Sequence, residues 1–152
     1  MNFLELQIAD QRVYAPSKEK FQCWVDSSLY NYDKEAELVI RIVGEQEITN
    51  LNEKYRHKKG PTNVLSFPFE VPEGIEINLL GDLVICAAIV KQEAQDQKKE
   101  LDSHWAHIVI HGVLHLLGLD HIDEHDAENM EAREISILEK LNIRNPYLET
   151  DQ

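Results

Sequence analysis

With only two cysteines among 152 residues, no CxxC pair and no Cys/His cluster, the chain has no material for a disulfide framework or a thiolate zinc site. Cys23 and Cys86 each sit in apolar surroundings, which predicts reduced, buried thiols. No apolar run approaches the ~18 uninterrupted residues of a membrane span, so no membrane partner is expected. The start, MNFLELQIADQRV, lacks a basic region followed by a long apolar one. That argues against a secretory signal and for a cytoplasmic protein. Repeats, low-complexity tracts and Gly/Ser linkers are also missing, so residues 1–152 read as a single domain. A chain of this length buries about two thirds of its unfolded surface and needs no staple.

Positive charge is scarce: 15 Lys and Arg stand against 28 Asp and Glu, a formal net charge of −13. A uniformly acidic surface repels phosphates, so composition alone disfavours a nucleic acid partner. The charge is uneven, however. KYRHKK at 54–59 holds Lys54, Arg56, Lys58 and Lys59 with no acid. A late acidic run contains Asp123, Glu124, Asp126, Glu128, Glu131 and Glu134, and its default reading is a solvated helix face.

Apolar and β-branched residues predict strands at Phe3 to Ile8, Leu38 to Val43, VLSFPF and LLGDLVI. Pro68 puts the third of these at an edge or irregularity. Ser17 is placed to cap a helix that carries Phe21, Trp24, Val25 and Leu29 on one face. Further helices are expected from about Glu45 to Tyr55, Ala87 to Lys98, Asp102 to Leu117 and Asp123 to Leu141. Strands and helices alternate early and helices dominate late, the pattern of an α/β or α+β layer structure with a small mixed sheet.

The chemistry concentrates in HGVLHLLGLDH, residues 111–121. His111 and His115, four apart on a helix, project from one face and can share a metal ion. Gly118 can end that helix in the left-handed conformation, which would let His121 swing back towards them. Three imidazoles with an open fourth position make a catalytic zinc-type composition, whereas structural zinc is normally closed by four protein ligands. The set His107, His111, His115 is a poorer alternative, because its outer members are about 12 Å apart along the helix. His104 and His107 are read as packing residues or supports of the ligands, and His125 as a weaker substitute for His121. The spacing equals that of the metzincin motif HExxHxxGxxH. Its general-base glutamate is Gly112 here, so the peptidase machinery is missing. Asp82 and Asp120, the nearest acids in sequence, are candidates for orienting an imidazole or activating water, or merely turn carboxylates.

HGVLHLLGLDH together with YRHKKGPTNVLSFPFE and LLGDLVIC resembles the YbeY family, bacterial metal-dependent endoribonucleases of ribosomal RNA maturation and ribosome quality control. The resemblance runs in matching order over nearly the whole chain. It implies an α+β fold, a small mixed four-stranded sheet surrounded by helices, with the metal site on a helix end. It also implies one divalent transition metal ion, zinc by expectation, on His111, His115 and His121. Arg56 matches the family's functional arginine, which makes Arg56 and His111 the catalytic candidates and Arg56, Lys58 and Lys59 the substrate-binding ones. The implied activity is single-strand-specific cleavage at the 3′ end of small-subunit ribosomal RNA, with the small ribosomal subunit and assembly factors as partners. Lys59 and Leu119 depart from the family pattern, where relatives often have an acid and an aromatic; neither is a ligand. Two other readings are a zinc-dependent hydrolase of peptide or other carbonyl substrates, and a ribosome assembly factor in which the metal is structural.

Overall fold

The computed structural model describes residues 2–32, 34–75, 77–118 and 124–148. Nine elements follow in chain order: β1 (Phe3–Ile8), α1 (Lys18–Ser28), β2 (Glu37–Val43), α2 (Glu45–Arg56), β3 (Val64–Pro68), β4 (Leu79–Cys86), α3 (Ala87–Asp96), α4 (Leu101–Leu116) and α5 (Glu124–Lys140). The sheet order is β1-β2-β4-β3. β1, β2 and β4 are parallel, and β3 pairs antiparallel with β4 at the edge, where Pro68 needs no ladder partner for a missing N–H. This is the expected α+β fold with a mixed four-stranded sheet among helices.

Alternation along the strands divides the core between the two faces of the sheet. Leu4, Leu38, Ile40, Ile42, Leu83 and Ile85 face Phe21 and Trp24 of α1 and Trp105, Val109 and Val113 of α4. Val43, Leu65, Val84 and Cys86 point the other way and pack with Ile48 of α2. Ser17 caps α1 by accepting from Lys20 N–H at 3.3 Å, satisfying one of the helix's orphan donors.

The central helix is α4, which is why its sequence, WAHIVIHGVLHLL, is nearly apolar throughout: sheet, α1, α3 and α5 cover most of its circumference. It approaches the sheet closely at Gly112. A Cβ built there would stand 2.8 Å from Cδ2 of Leu83, itself fully buried. Position 112 is therefore a packing contact, and no general base is carried there. Just past α4, Gly118 has φ +97° and donates to His115 C=O at 3.0 Å, the left-handed stop that the sequence led us to expect.

Two expectations fail. Cys86 is buried but Cys23 is exposed, because α1 presents Phe21, Trp24 and Val25 to the core and Cys23 falls between those positions on its outer side. Glu134 is not part of a solvated face. It is 0% exposed, four residues from both Met130 and Leu138, which are equally buried.

Candidate metal centre and phosphate cleft

Four histidines run down one flank of α4 at steps of three, four and four residues. Ring centroids are 6.1 Å apart for His104 and His107, 6.2 Å for His107 and His111, and 4.6 Å for His111 and His115. His104 is 3% exposed, and its Nε2 meets Glu93 Oε1 of α3 at 3.0 Å. Burial alone would raise the Glu93 pKa, but hydrogen bonds from His104 and from Asn63, whose Nδ2 is 3.1 Å away, hold it below its ordinary value. This half of the helix is an internal tie between α3, α4 and the start of β3.

The other half opens to a cleft. Nε2 of His111 and Nε2 of His115 face each other at 3.1 Å. Nitrogens bound at about 2.0–2.1 Å to one tetrahedral zinc ion stand roughly 3.3 Å from each other, so this pair has the spacing of two ligands converging on an ion. His111 Nδ1 is hydrogen-bonded to Glu134 Oε1, which implies that Nδ1 carries the proton and Nε2 the lone pair. Glu134 Oε2 takes His107 Nε2 at 3.3 Å and the Tyr147 hydroxyl. Burial opposes ionisation of Glu134, yet the bonds from His107, His111 and Tyr147 bring its pKa down to about 2. Burial likewise lowers the His107 pKa and favours the neutral ring.

A cleft of about 470 Å³ joins His111, His115 and Gly118 to Arg56, Lys58, Thr62, Asn63 and Ser66. Arg56 is the last residue of α2, not part of the following loop. His57 turns the chain with φ 57°, and buried Asn52 pins the return by donating to Gly60 C=O at 2.9 Å. The far wall is β3, whose Ser66 hydroxyl donates to Gly112 C=O at 3.3 Å. Two cations are thereby set across from two imidazole nitrogens at metal-ligand spacing, an arrangement suited to holding a phosphodiester between charges of like purpose.

Of the residues singled out by sequence, the fold brings Arg56, Lys58, His111 and His115 together. Lys59 does not line the cleft. His121, Asp120, Leu119 and the His125 side chain lie outside the described residues. Asp82 does not fill its expected role: it is on the α2 face of the sheet and exposed, and partial burial, with the charge of Glu5 two strands away, raises its pKa. It therefore cannot orient an imidazole of α4. Glu134 and Tyr147 were missed, although a carboxylate on the Met130 and Leu138 stripe was a signal that it needs a buried partner. Among the described residues, His107, His111 and Glu134 also bring ligand atoms within 4.8 Å of one another.

Fold and cleft together define a small α+β protein built around a histidine-rich helix whose side chains could hold a metal ion. The chain belongs to the endoribonuclease YbeY family, whose model matches residues 6–142. It is 57% identical over 150 residues to the endoribonuclease YbeY of Colwellia psychrerythraea (strain 34H / ATCC BAA-681), covering 96% of this chain and 97% of the relative. The fold is also similar to the solution structure of a Thermotoga maritima protein, with a TM-score of 0.58, 21% identity and coverage of 93% and 92% of the two chains. The activity is accordingly endonucleolytic cleavage of RNA. No helix among the described residues is long and apolar enough to cross a membrane.

Proposed function

We propose that the protein matures ribosomal RNA precursors in the cytoplasm, cutting single-stranded RNA at the 3′ end of the small-subunit molecule and serving ribosome quality control alongside the small subunit and its assembly factors. The observation that carries this reading is the 3.1 Å pairing of His111 and His115 Nε2 in the same cleft as Arg56 and Lys58. His111, His115 and His121 are the proposed ligands of one divalent transition metal ion, zinc by the preference of an all-imidazole set for borderline ions. Bound there, the ion supplies Lewis-acid polarisation of a phosphoryl oxygen.

Arg56 has the complementary task. Its planar fork binds two phosphate oxygens at once and never deprotonates, and its place at the C-terminus of α2 is one where the helix dipole favours a cation. Lys58 adds charge to the same cleft, and Lys59, outside it, adds long-range attraction. Phosphoryl transfer depends mainly on positioning and charge neutralisation, so a glycine at position 112 is no obstacle to it. The same glycine disfavours a peptidase.

The test is cleavage of a single-stranded RNA spanning the small-subunit 3′ end, with casein as the control substrate, by zinc-loaded wild type, Arg56→Ala and Arg56→Lys. Arg56→Ala should keep metal content and Tm while losing about 100-fold in RNA cleavage, the scale of removing one charge-stabilising donor. Arg56→Lys should recover part of that loss. Wild-type cleavage by Arg56→Ala would shift the reading to an assembly factor with a structural metal. Casein hydrolysis that vanishes in His115→Ala would shift it to a zinc peptidase.

A further inference from the structure

An imidazole presents one nitrogen to a metal reliably only when its other nitrogen is fixed, because the two tautomers of a neutral ring are otherwise close in energy. His111 is fixed by a group that the cleft does not contain. Glu134 lies behind it on α5, 0% exposed and flanked along the helix by the equally buried Met130 and Leu138. A carboxylate in such surroundings is costly unless saturated, and its two oxygens are divided: Oε1 serves His111 Nδ1, while Oε2 takes both His107 Nε2 and the Tyr147 hydroxyl.

We infer that Glu134 is a positioning residue for the metal centre, holding His111 in the Nδ1–H tautomer with Nε2 turned to the cleft, and that Tyr147 and His107 lock Glu134 in that pose by occupying its second oxygen. The inference rests on His111 being a metal ligand, as proposed above. Tyr147 comes from the segment after α5 and lies beyond the residues matched by the family model. Its ring packs edge-on to His107 at 5.3 Å, while its hydroxyl reaches the buried carboxylate. The segment after α5 thus braces the metal centre from behind.

A rival arrangement would use Glu134 itself as a ligand, with His107 and His111. That would place the ion behind α4, since Glu134 and His107 do not line the cleft that holds Arg56 and Lys58. Such an ion would be remote from the cations that would share its substrate, and the Nε2 pairing of His111 with His115 would have no role in it.

The test is zinc titration against a chromophoric chelator, the visible spectrum of the cobalt(II) form, and Tm of the metal-free proteins. Variants are Glu134→Gln, Tyr147→Phe, His111→Ala and His115→Ala. A glutamine amide can face His111 with either its donor or its acceptor, so Glu134→Gln should weaken zinc by about 10–100-fold, the usual effect of losing a partner of a ligand, and broaden the cobalt(II) bands without removing them. Tyr147→Phe leaves Glu134 charged and the ring in place. It should weaken zinc a few-fold with little change in metal-free Tm, and it carries the test if Glu134→Gln fails to fold. Wild-type zinc affinity and an unchanged cobalt(II) spectrum in Tyr147→Phe, or in a folded Glu134→Gln, would overturn the inference. Complete loss of metal in Glu134→Gln with retention in His115→Ala would overturn it in favour of the rival ligand set. If His111→Ala binds zinc like wild type, the metal reading itself fails. If His111 is required and Glu134 is not, only the positioning role fails.

Discussion

The two halves of α4 carry the same residue type and put it to opposite uses. In the first half, His104 is buried and bonded to Glu93 across α3, a closed internal contact. In the second, His111 is also bonded to a carboxylate, but through Nδ1, and its Nε2 turns to His115 and the cleft. The structural histidine and the proposed ligand on this helix differ in which ring nitrogen the neighbouring carboxylate takes. Residue identity and helical spacing do not distinguish them.

The sharpest way to break that contrast is to delete one histidine from each half. His115→Ala should lower zinc affinity by more than about 100-fold, as expected when one of three protein ligands is removed, with a small change in metal-free Tm. His104→Ala should do the reverse: by stranding half-buried Glu93 it should cost about 1–3 kcal/mol in denaturant unfolding while leaving zinc affinity unchanged. Equal effects of the two variants on zinc would erase the distinction.

Gly112 lies in the second half, between His111 and His115, at the contact with β4. Gly112→Ala should destabilise by about 1–3 kcal/mol, since the added methyl overpacks against buried Leu83. Chemical denaturation with metal removed measures this, and a neutral result would mean that α4 can lift from the sheet.

Acid titration of a Glu93 variant beside wild type probes the first half. The Glu93 pKa is held below 4.5 in the folded protein, so its contribution to stability is fully present above that value and disappears as pH falls through the lower, folded-state pKa. Glu93→Gln should therefore be less stable than wild type near neutral pH, by about 1–2 kcal/mol for a lost charge-assisted bond, and the two should converge in acid. Parallel stability curves down to low pH would contradict the hydrogen bonds assigned to the Glu93 carboxylate. The smallest expected effect belongs to the cleft rim. Lys58→Ala should reduce the slope of log affinity against log salt for single-stranded RNA by roughly 0.7, one phosphate contact, and Lys59→Ala by less.

Much of this architecture was legible in the chain. Apolar patterning located the nine elements of the described residues, by period where one face meets the core and by a near-continuous apolar run in α4 and β4, and Pro68 correctly marked the edge strand. Gly118 announced the end of α4 because the turn there takes a left-handed residue, which glycine adopts freely. The site was legible where its residues are neighbours on one helix, as His111 and His115 are, or where the family resemblance supplied them, as with Arg56. It was not legible across elements. Glu134 is 23 residues from the histidine that it holds and sits in a run of acids whose average behaviour is solvation. Asp82, close to family motifs in sequence, falls on the wrong face of the sheet because side chains alternate along a strand. Cys23 shows the same limit on a helix, where one step around the axis separates core from solvent.

The central claim is that the ion sits on the cleft side of His111 with Glu134 behind it. Locating zinc by anomalous scattering in crystals of the zinc-loaded protein tests this most directly. The predicted result is one ion at about 2.0–2.1 Å from Nε2 of His111 and of His115, with His111 Nδ1 still bonded to Glu134. An ion held by Glu134, His107 and Nδ1 of His111 would contradict the account.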